Sequence, residues 1–408
     1  MQKGYSLCRT VAAVFLLLCI LFIPLPFYLF PFQESITDVV FGGVIDKVAR
    51  LFFSIQLTNT KVYSDSTSMY LLVFVLAFLS LLAGILLNTI GRWKQYENRI
   101  LQFFSLLFCY YLILMLMKYG LDKIFKAQFY LPEPNILYTR LGQIDKDFLY
   151  WTSMGTSRLY NIITGSVEVL AALLILFKRT RMTGLLLAAA SLVQVVAINF
   201  GFDISVKLYS LFLLSLSLYL LAPYYRRIYT FLFTQRDLPA IRTDITRFIK
   251  NPFWAIFLKC FITGIILFES LYPYIRHRNF NDDVAGRPYL HGAYEVRQMI
   301  AGADTLLAKD SPIQRFFIHR DNFLIFQNQA DEMQDYKLTY DKERHCWILT
   351  DYQQRQIQLA FNYQAADSLL TLRYLKDSTT FQLMGKMLDW KKLPLIRKTF
   401  HWTVDGKW

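Results

Sequence analysis

Three polar residues at a spacing of four separate two long apolar runs. They are Asn199, Asp203 and Lys207, in the stretch NFGFDISVKL. Where the flanking chain is helical, this spacing brings successive side chains to the same side. An amide, a carboxylate and an ammonium group together could hydrogen-bond a ligand. They could equally order the turn alone, with Asn199 and Asp203 capping helix ends and Lys207 reaching toward lipid headgroups.

Glu168 stands near the middle of another apolar run, LYNIITGSVEVLAALLILF. A carboxylate at mid-depth in a bilayer is unfavourable, so it must face the inside of a helix bundle, pair with another group or be protonated. Gly165 precedes it by one turn and would let a neighbouring helix approach closely. The residues alone allow a functional acid, and they equally allow one that only hydrogen-bonds within the bundle.

Further polar side chains lie at depths close to this acid. Gln194 lies in the next apolar run, and Arg158, Tyr160 and Lys118 lie at the ends of apolar runs. Either cation could pair with Glu168, while a tyrosine at this level is typical of the aromatic belt. Glu168, Gln194, Tyr160 and Lys207 are residue types that, beside an apolar slot, could hydrogen-bond a quinone carbonyl and exchange protons with it.

The elements that must position these residues are membrane spans. The chain of 408 residues is 55% hydrophobic and 18% charged, and its mean hydropathy is +0.31. The apolar residues form blocks of about twenty, the length that crosses a bilayer core as a helix. We predict a polytopic helical membrane protein with seven spans, at about 9–30, 69–90, 101–120, 159–177, 182–199, 206–223 and 253–273.

The orientation follows from the basic residues of the short loops. Lysine and arginine are in excess on the side of the N-terminus, whereas on the other side they are nearly balanced by acids. We therefore expect the N-terminus in the cytoplasm and the C-terminus outside the inner (cytoplasmic) membrane, in the periplasm or its equivalent. The net charge of +14 then reflects mainly the basic residues that set the topology, and it also attracts anionic lipids. No nucleic-acid partner is expected.

From residue 276 the pattern changes to short alternating runs with turn residues between them. About eight such runs predict a C-terminal antiparallel β barrel or sandwich, lipocalin-like in shape. Two amphipathic stretches, 36–55 and 238–249, predict helices that lie in the membrane interface or pack on the bundle. The β domain could bind an apolar ligand, cap the bundle or hold a partner.

Redox metals and disulfides have no sequence support. Cys8, Cys19, Cys109 and Cys260 lie in or beside spans, Cys346 stands alone, and no CxxC motif occurs. All five histidines follow the last span at spacings that match no metal-ligand motif, so no metal site and no haem ligation within the bundle are predicted. Nucleophile-elbow, HExxH and P-loop motifs are also absent, so the sequence shows no catalytic motif of its own.

Three stretches resemble the DoxX-like family of four-helix membrane proteins: KYGLDKIFKAQF, WTSMGTSRLYNIITGSVEVLAALLILFKRT and NFGFDISVKLYSLFLLSLSLYLLAP. The positions that match the family pattern are Gly120, Lys123, Gly165, Glu168, Asn199, Asp203 and Lys207. The resemblance covers about residues 100–225. The longer chain, which ends in FHW-like residues 400–402, resembles DoxX-type proteins of Bacteroidota-like bacteria. Because the family includes a small subunit of thiosulfate:quinone oxidoreductase, the resemblance implies a redox partner protein and a quinone.

The spans and this resemblance divide the chain into five segments. They are an N-terminal pair of spans with an outer amphipathic segment (1–99), a DoxX-like four-helix bundle (100–225), a basic cytoplasmic amphipathic loop (226–252), the seventh span (253–274) and the extracytoplasmic β domain (275–408).

Three hypotheses for function remain. The first is a membrane subunit or accessory of a redox complex that binds a quinone or another lipophilic molecule, with no other cofactor evident. The second is a non-catalytic scaffold that presents the β domain for binding. The third is a transporter of small solutes or protons that uses Glu168. The candidate ligand-binding residues are Glu168, Gln194, Asn199, Asp203, Lys207, Arg158, Tyr160 and Lys123.

Overall fold

The computed structural model describes residues 2–233, 249, 251–341, 343–376 and 379–397. The chain forms two compact units. The first, which we call the helical unit, combines Met1–Gln128 with Leu159–Phe280. The second, the barrel unit, combines Phe129–Arg158 with the chain from Asn281 onward. The barrel unit therefore includes a segment that precedes the strands by more than a hundred residues.

Eleven α-helices are present in the described part of the chain. In chain order they are α1 (Gln2–Phe22), α2 (Gln33–Phe53), α3 (Thr67–Thr89), α4 (Trp93–Ile124), α5 (Pro134–Leu137), α6 (Lys146–Thr156), α7 (Arg158–Leu176), α8 (Arg181–Gly201), α9 (Lys207–Leu221), α10 (Tyr225–Phe233) and α11 (Pro252–His277).

The helical unit has the composition of a multi-pass membrane protein. Among the described residues, six helical segments are long and apolar enough to cross a bilayer, and Ser6–Phe22 is a shorter apolar helix. The six are Thr67–Thr89, Trp93–Ile124, Arg158–Leu176, Arg181–Gly201, Lys207–Phe231 and Pro252–Val284. The predicted class, a polytopic helical membrane protein, is confirmed.

One predicted span boundary was wrong. The first helix ends at Phe22 rather than near residue 30, because Pro24 and Pro26 follow. Proline removes a backbone donor, and it disfavours helical geometry in the residue before it. The span predicted at 101–120 is the middle of α4, which begins at Trp93.

One amphipathic prediction can be compared with the structure. The stretch 36–55 is helical as far as Phe53, within α2, and it buries Phe41, Ile45 and Ala49. The other stretch, 238–249, lies outside the described residues except for Ile249.

The strands form one closed antiparallel barrel. They are β1 (Gly292–Ala301), β2 (Asp304–Leu307), β3 (Ile313–His319), β4 (Phe323–Asn328), β5 (Met333–Asp341), β6 (Cys346–Thr350), β7 (Gln356–Gln364), β8 (Leu369–Lys376) and β9 (Thr379–Leu388). Strands β3 to β9 pair in sequence, and β1 pairs with both β3 and β9. These eight strands close the barrel, while β2 forms a hairpin with the end of β1. The predicted β barrel is confirmed.

Large apolar side chains fill the barrel. Tyr294 stacks on Phe316 with ring centroids 4.9 Å apart, and both are fully buried. The backbone of Gly385 passes close beside them, because a Cβ there would lie 2.6 Å from Cζ of Phe316 and closer still to its Cε1. The core therefore requires glycine at this position of β9.

The alternation of the sequence located seven of the strands. The predicted runs from residue 316 to residue 383 lie in β3 to β9, whereas the run at 400–404 lies outside the described residues. Strand β1 was missed because Ala293 and Tyr294, on opposite faces, are both buried. The outer face of β1 and β3 is covered in part by Tyr138, which stacks on Phe317. A strand covered on both faces does not alternate.

Candidate functional site

A buried ion pair links α4 to α7 in the helical unit. Lys123 Nζ donates to both carboxylate oxygens of Glu168, at 2.9 and 2.7 Å. Their side chains are 10% and 6% exposed. The pairing satisfies the acid that the sequence places at mid-depth, since a buried carboxylate needs a partner.

The two helices are in backbone contact one turn before each charged residue. A Cβ on Gly120 would lie 2.8 Å from the carbonyl oxygen of Gly165, and a Cβ on Gly165 would meet the carbonyl of Gly120 in turn. This close approach lets the short distance between Lys123 and Glu168 form. The four residues that the family resemblance singles out on these helices therefore meet at one crossing.

A second polar cluster occupies another side of α4. Lys118 Nζ lies 3.3 Å from Glu269 Oε1 on α11 and also donates to the carbonyl oxygen of Pro26. Glu269, which is 2% exposed, accepts from the backbone N–H groups of Tyr28 and Leu29 at 2.6 and 3.0 Å. The carboxylate thus fixes the chain that follows α1.

Asp122 extends the contact between α4 and α11, because it accepts a hydrogen bond from the hydroxyl of Tyr274. The sequence prediction missed both Glu269 and this pair. A carboxylate within the run ILFESLYPY was the available signal, of the same kind that identified Glu168.

The turn between α8 and α9 brings Asp203 and Lys207 together. Asp203 has a left-handed φ of 55°, and its carboxylate lies 2.7 Å from Lys207 Nζ. The Asp203 side chain is 82% exposed. Asn199 is buried, and its Nδ2 donates to the carbonyl oxygen of Val206 at 3.4 Å. Both interactions stay within the turn and order it.

The cap of α9 comes from a different loop. Asp65 accepts from the backbone N–H groups of Lys207 and Leu208, at 2.7 and 3.0 Å. These donors are the first of the helix and have no partner within it. The alternative in which Asp203 caps α9 is therefore wrong. Since Asp65 lies before α3, its carboxylate joins α9 to the first spans.

The remaining predicted residues are not gathered at the buried pair. Gln194 is exposed on α8. Tyr160 and Arg158 are exposed at the start of α7, and Arg158 belongs to the barrel unit. Of the predicted residues, the structure pairs Lys123 with Glu168 and, in the turn that also contains Asn199, Asp203 with Lys207.

The barrel unit contains a cavity of about 620 Å³ with aromatic walls. The ring of Phe361 contacts three other aromatic rings of the lining: it stacks on Trp347 with centroids 4.3 Å apart, and Tyr340 and Tyr289 approach it edgewise or tilted. The hydroxyl of Tyr340 lies 3.2 Å from His345 Nδ1. The residues that line the cavity are Pro288, Tyr289, Asn322, Leu338, Tyr340, His345, Trp347, Phe361, Asn362 and Tyr363. We call this cavity the aromatic pocket.

A network of charged groups joins the segment 129–158 to the strands within the barrel unit. Glu133 Oε2 lies 2.7 Å from His291 Nε2 and accepts from the backbone N–H of Arg320 at 3.2 Å. Arg320 also binds Asp282 through two contacts of 2.7 Å, and its guanidinium stacks over Tyr130.

The environment shifts the pKa values in this network. Burial raises the pKa of Glu133, but the hydrogen bond and charge of His291, with smaller contributions from His319 and the Arg320 N–H, lower it below its usual value. Burial also raises the pKa of Asp282, but the contacts with Arg320 and Arg287 outweigh it, so the pKa is lower than usual. Burial lowers the pKa of the His319 imidazole.

Within the described residues, no group of three histidine, cysteine or acidic side chains is placed to hold a metal ion. The charged network of the barrel unit is instead a set of paired groups, of the kind that a buried charge requires.

The fold and these sites define a multi-pass helical membrane protein with a closed antiparallel β barrel at its C-terminal end. No protein-family profile matches the chain, and no solved structure matches it. It is similar to the uncharacterized protein YwoB of Bacillus subtilis (strain 168), with 36% identity over 104 residues. The match covers 25% of this chain and 65% of YwoB, so the chain spans less than two thirds of the length of that relative.

Proposed function

We propose that the protein is a membrane-anchored binding protein, in which the helical unit is the anchor and the barrel unit binds an apolar or amphipathic small molecule. The observation that carries this proposal is the aromatic pocket. Its volume of about 620 Å³ lies within the range of small-molecule sites, roughly 300–1,000 Å³. Stacked rings with a few polar groups at their edges are suited to a flat or chain-like apolar ligand.

The contacts of the helical unit support an anchoring role. Lys123 occupies both oxygens of Glu168, and the Gly120–Gly165 contact brings α4 and α7 together at the same level. A ligand carbonyl only accepts hydrogen bonds, so it could not bond to the carboxylate and would have to compete with Glu168 for the ammonium group of Lys123. Binding in the aromatic pocket involves no such competition.

We also propose the orientation of the protein, with an inner-membrane location, a cytoplasmic N-terminus and the barrel outside. The basic residues of the short loops support it. The segment 129–158 and the chain from Asn281 belong to one compact unit, and α7, α8, α9 and α11 lie between them. If each of these four helices crosses the membrane, the segment 129–158 and the chain from Asn281 are on the same side of it. Two parts of one compact unit must be on the same side.

Photolabelling of the full-length protein in mild detergent tests the binding proposal. The probe is a diazirine-bearing fatty acid, and mass spectrometry maps its adducts. We expect adducts concentrated on β5 to β7 and their reduction in Phe361→Ala. Tyr352→Ala is the matched control, since Tyr352 is an aromatic side chain that is 80% exposed and does not line the pocket. Thermal unfolding confirms that each variant is folded. Adducts confined to the transmembrane helices, or equal in both variants, would refute the proposal.

A second proposal follows from the DoxX-like resemblance: a membrane accessory of a redox complex that holds a quinone beside Glu168. The observation that favours it is that Lys123, Glu168, Gly120 and Gly165 meet at one crossing. Its test is the quinone content of the purified protein, by extraction and chromatography. This proposal expects a stoichiometric quinone that is lost in Glu168→Gln, together with a redox partner that co-purifies. Wild-type protein without quinone would exclude it.

A further inference from the structure

A cavity of about 130 Å³ in the helical unit carries three cationic side chains. It lies between α4, the turn from α7 to α8, and the first turns of α11. The cations are Lys178, Arg181 and Lys259, and none of the other described residues that line it is acidic. Those other residues are apolar or aromatic, among them Leu106 and Ile262. At this apolar cavity Arg181 is buried and Lys259 is half-buried, and a positive charge in such surroundings is normally paired with an acceptor.

Arg181 is built into this cavity and is incompletely satisfied. The residue is 7% exposed, and its Nε donates to the carbonyl oxygen of Ile175 at 3.1 Å. That hydrogen bond fixes the guanidinium. Its Nη1 is buried and has no hydrogen-bond partner among the described residues. A buried donor without an acceptor is unfavourable by about 1–3 kcal/mol, and more when it is charged. An acceptor from outside the chain would remove this penalty.

The surroundings favour an anion as that acceptor. Lys259 extends along the same cavity, with its Nζ 4.7 Å above the ring of Phe177. Helix α8 begins at Arg181, so the partial positive charge of its first N–H groups adds to the three cations. Arginine matches phosphate oxygens with two parallel hydrogen bonds.

We propose that this cavity binds the phosphate of an anionic phospholipid, with the acyl chains against the apolar side chains of α4 and α11. The outer surface of α11 here supplies Leu258, which is 42% exposed. By the orientation proposed above, the cavity opens to the cytoplasmic leaflet, which is rich in anionic lipid. The site is independent of the aromatic pocket and of the Lys123–Glu168 pair.

Native mass spectrometry of the full-length protein tests the inference. The probes are phosphatidylglycerol, phosphatidylcholine and inorganic phosphate, each added to delipidated protein. We expect retention of one phosphatidylglycerol, with weaker retention of phosphatidylcholine. Arg181→Gln should reduce the retention of phosphatidylglycerol about tenfold, the effect of one lost charge-assisted hydrogen bond.

Arg179→Gln is the matched control, because Arg179 is exposed in the same turn, does not line the cavity and carries the same charge. It should leave the retained lipid unchanged. Lys259→Gln is a second variant for the case that Arg181→Gln does not fold, and we expect it to weaken the retention of phosphatidylglycerol as well. Equal effects of Arg179→Gln and Arg181→Gln, or equal retention of the two lipids, would overturn the proposal. Displacement by millimolar phosphate would assign the site to a free anion and would overturn the lipid assignment.

Discussion

Replacement of Lys123 by methionine should strongly destabilise the helical unit. Methionine keeps most of the volume of the side chain but leaves the carboxylate of Glu168, which is 6% exposed, without its cation. Loss of one partner from a buried ion pair is typically unfavourable by about 3–5 kcal/mol. Because most of this penalty comes from the stranded charge, the double variant Lys123→Met/Glu168→Met should regain the larger part of it.

The free energy of unfolding can be measured in mixed micelles by titration with SDS, followed through tryptophan fluorescence. The matched control is Lys207→Met. It removes the same kind of cation from an ion pair of the same length, but the partner side chain of Asp203 is 82% exposed. Water can replace the lysine there, so we expect a loss of at most about 1 kcal/mol.

The double-mutant cycle decides the argument. If the two replacements in the Lys123–Glu168 pair act additively, the side chains are not coupled and the proposed cause of the destabilisation is wrong. The same conclusion follows if Lys123→Met and Lys207→Met lower the free energy of unfolding equally.

Two further predictions concern the helix crossing and the pH dependence of the barrel unit. Gly165→Ala should separate α4 from α7 and lower the free energy of unfolding in detergent by roughly 1–3 kcal/mol, the effect of an overpacked contact. The control Gly264→Ala should leave that free energy unchanged, because a Cβ there meets nothing within 4 Å. The pKa values of Glu133 and Asp282 are lower in the folded state than in the unfolded chain. The two carboxylates therefore stabilise the barrel unit above about pH 4, and this stabilisation is lost as the pH falls through their pKa values in the folded state. The pKa of His319 is also lowered, so the unfolded state binds its proton first and stability already begins to fall below about pH 6.5. The protection factors of the barrel strands, measured by hydrogen exchange of the full chain at pH 7.5, 5.5 and 4 relative to the intrinsic amide rate at each pH, should therefore decrease stepwise, and protection factors that do not change with pH would contradict this assignment.

The class of fold could be read from the sequence because both parts carry strong patterns. Apolar runs of about twenty residues gave the helices, and alternation gave β3 to β9. The boundaries depended on local chemistry that a hydropathy average does not register. Proline stops α1 early, while α4 continues for a further turn or more at each end as a helix with a polar surface.

The candidate site was predictable in its residue types and less so in its pairs. Depth alone made Arg158, Lys118 and other cations equivalent partners for Glu168. Lys123 pairs with Glu168 because a glycine on each helix allows close contact at that level, whereas Lys118 pairs with Glu269. Pairing depends on the rotation and approach of helices, which a single sequence does not specify.

The pair Glu133–His291 has a consequence for biosynthesis. Its partners are separated by 158 positions in the chain. At a synthesis rate of about 5–20 residues per second, Glu133 is made roughly 8–30 s before the histidine that pairs with it. During that interval four spans must be threaded into the bilayer, while the segment 129–158 lacks the strands against which it folds. The rate of translation, and any factor that shields this segment before the strands are made, should therefore influence the yield of folded protein more than they would for a barrel whose contacts are all local.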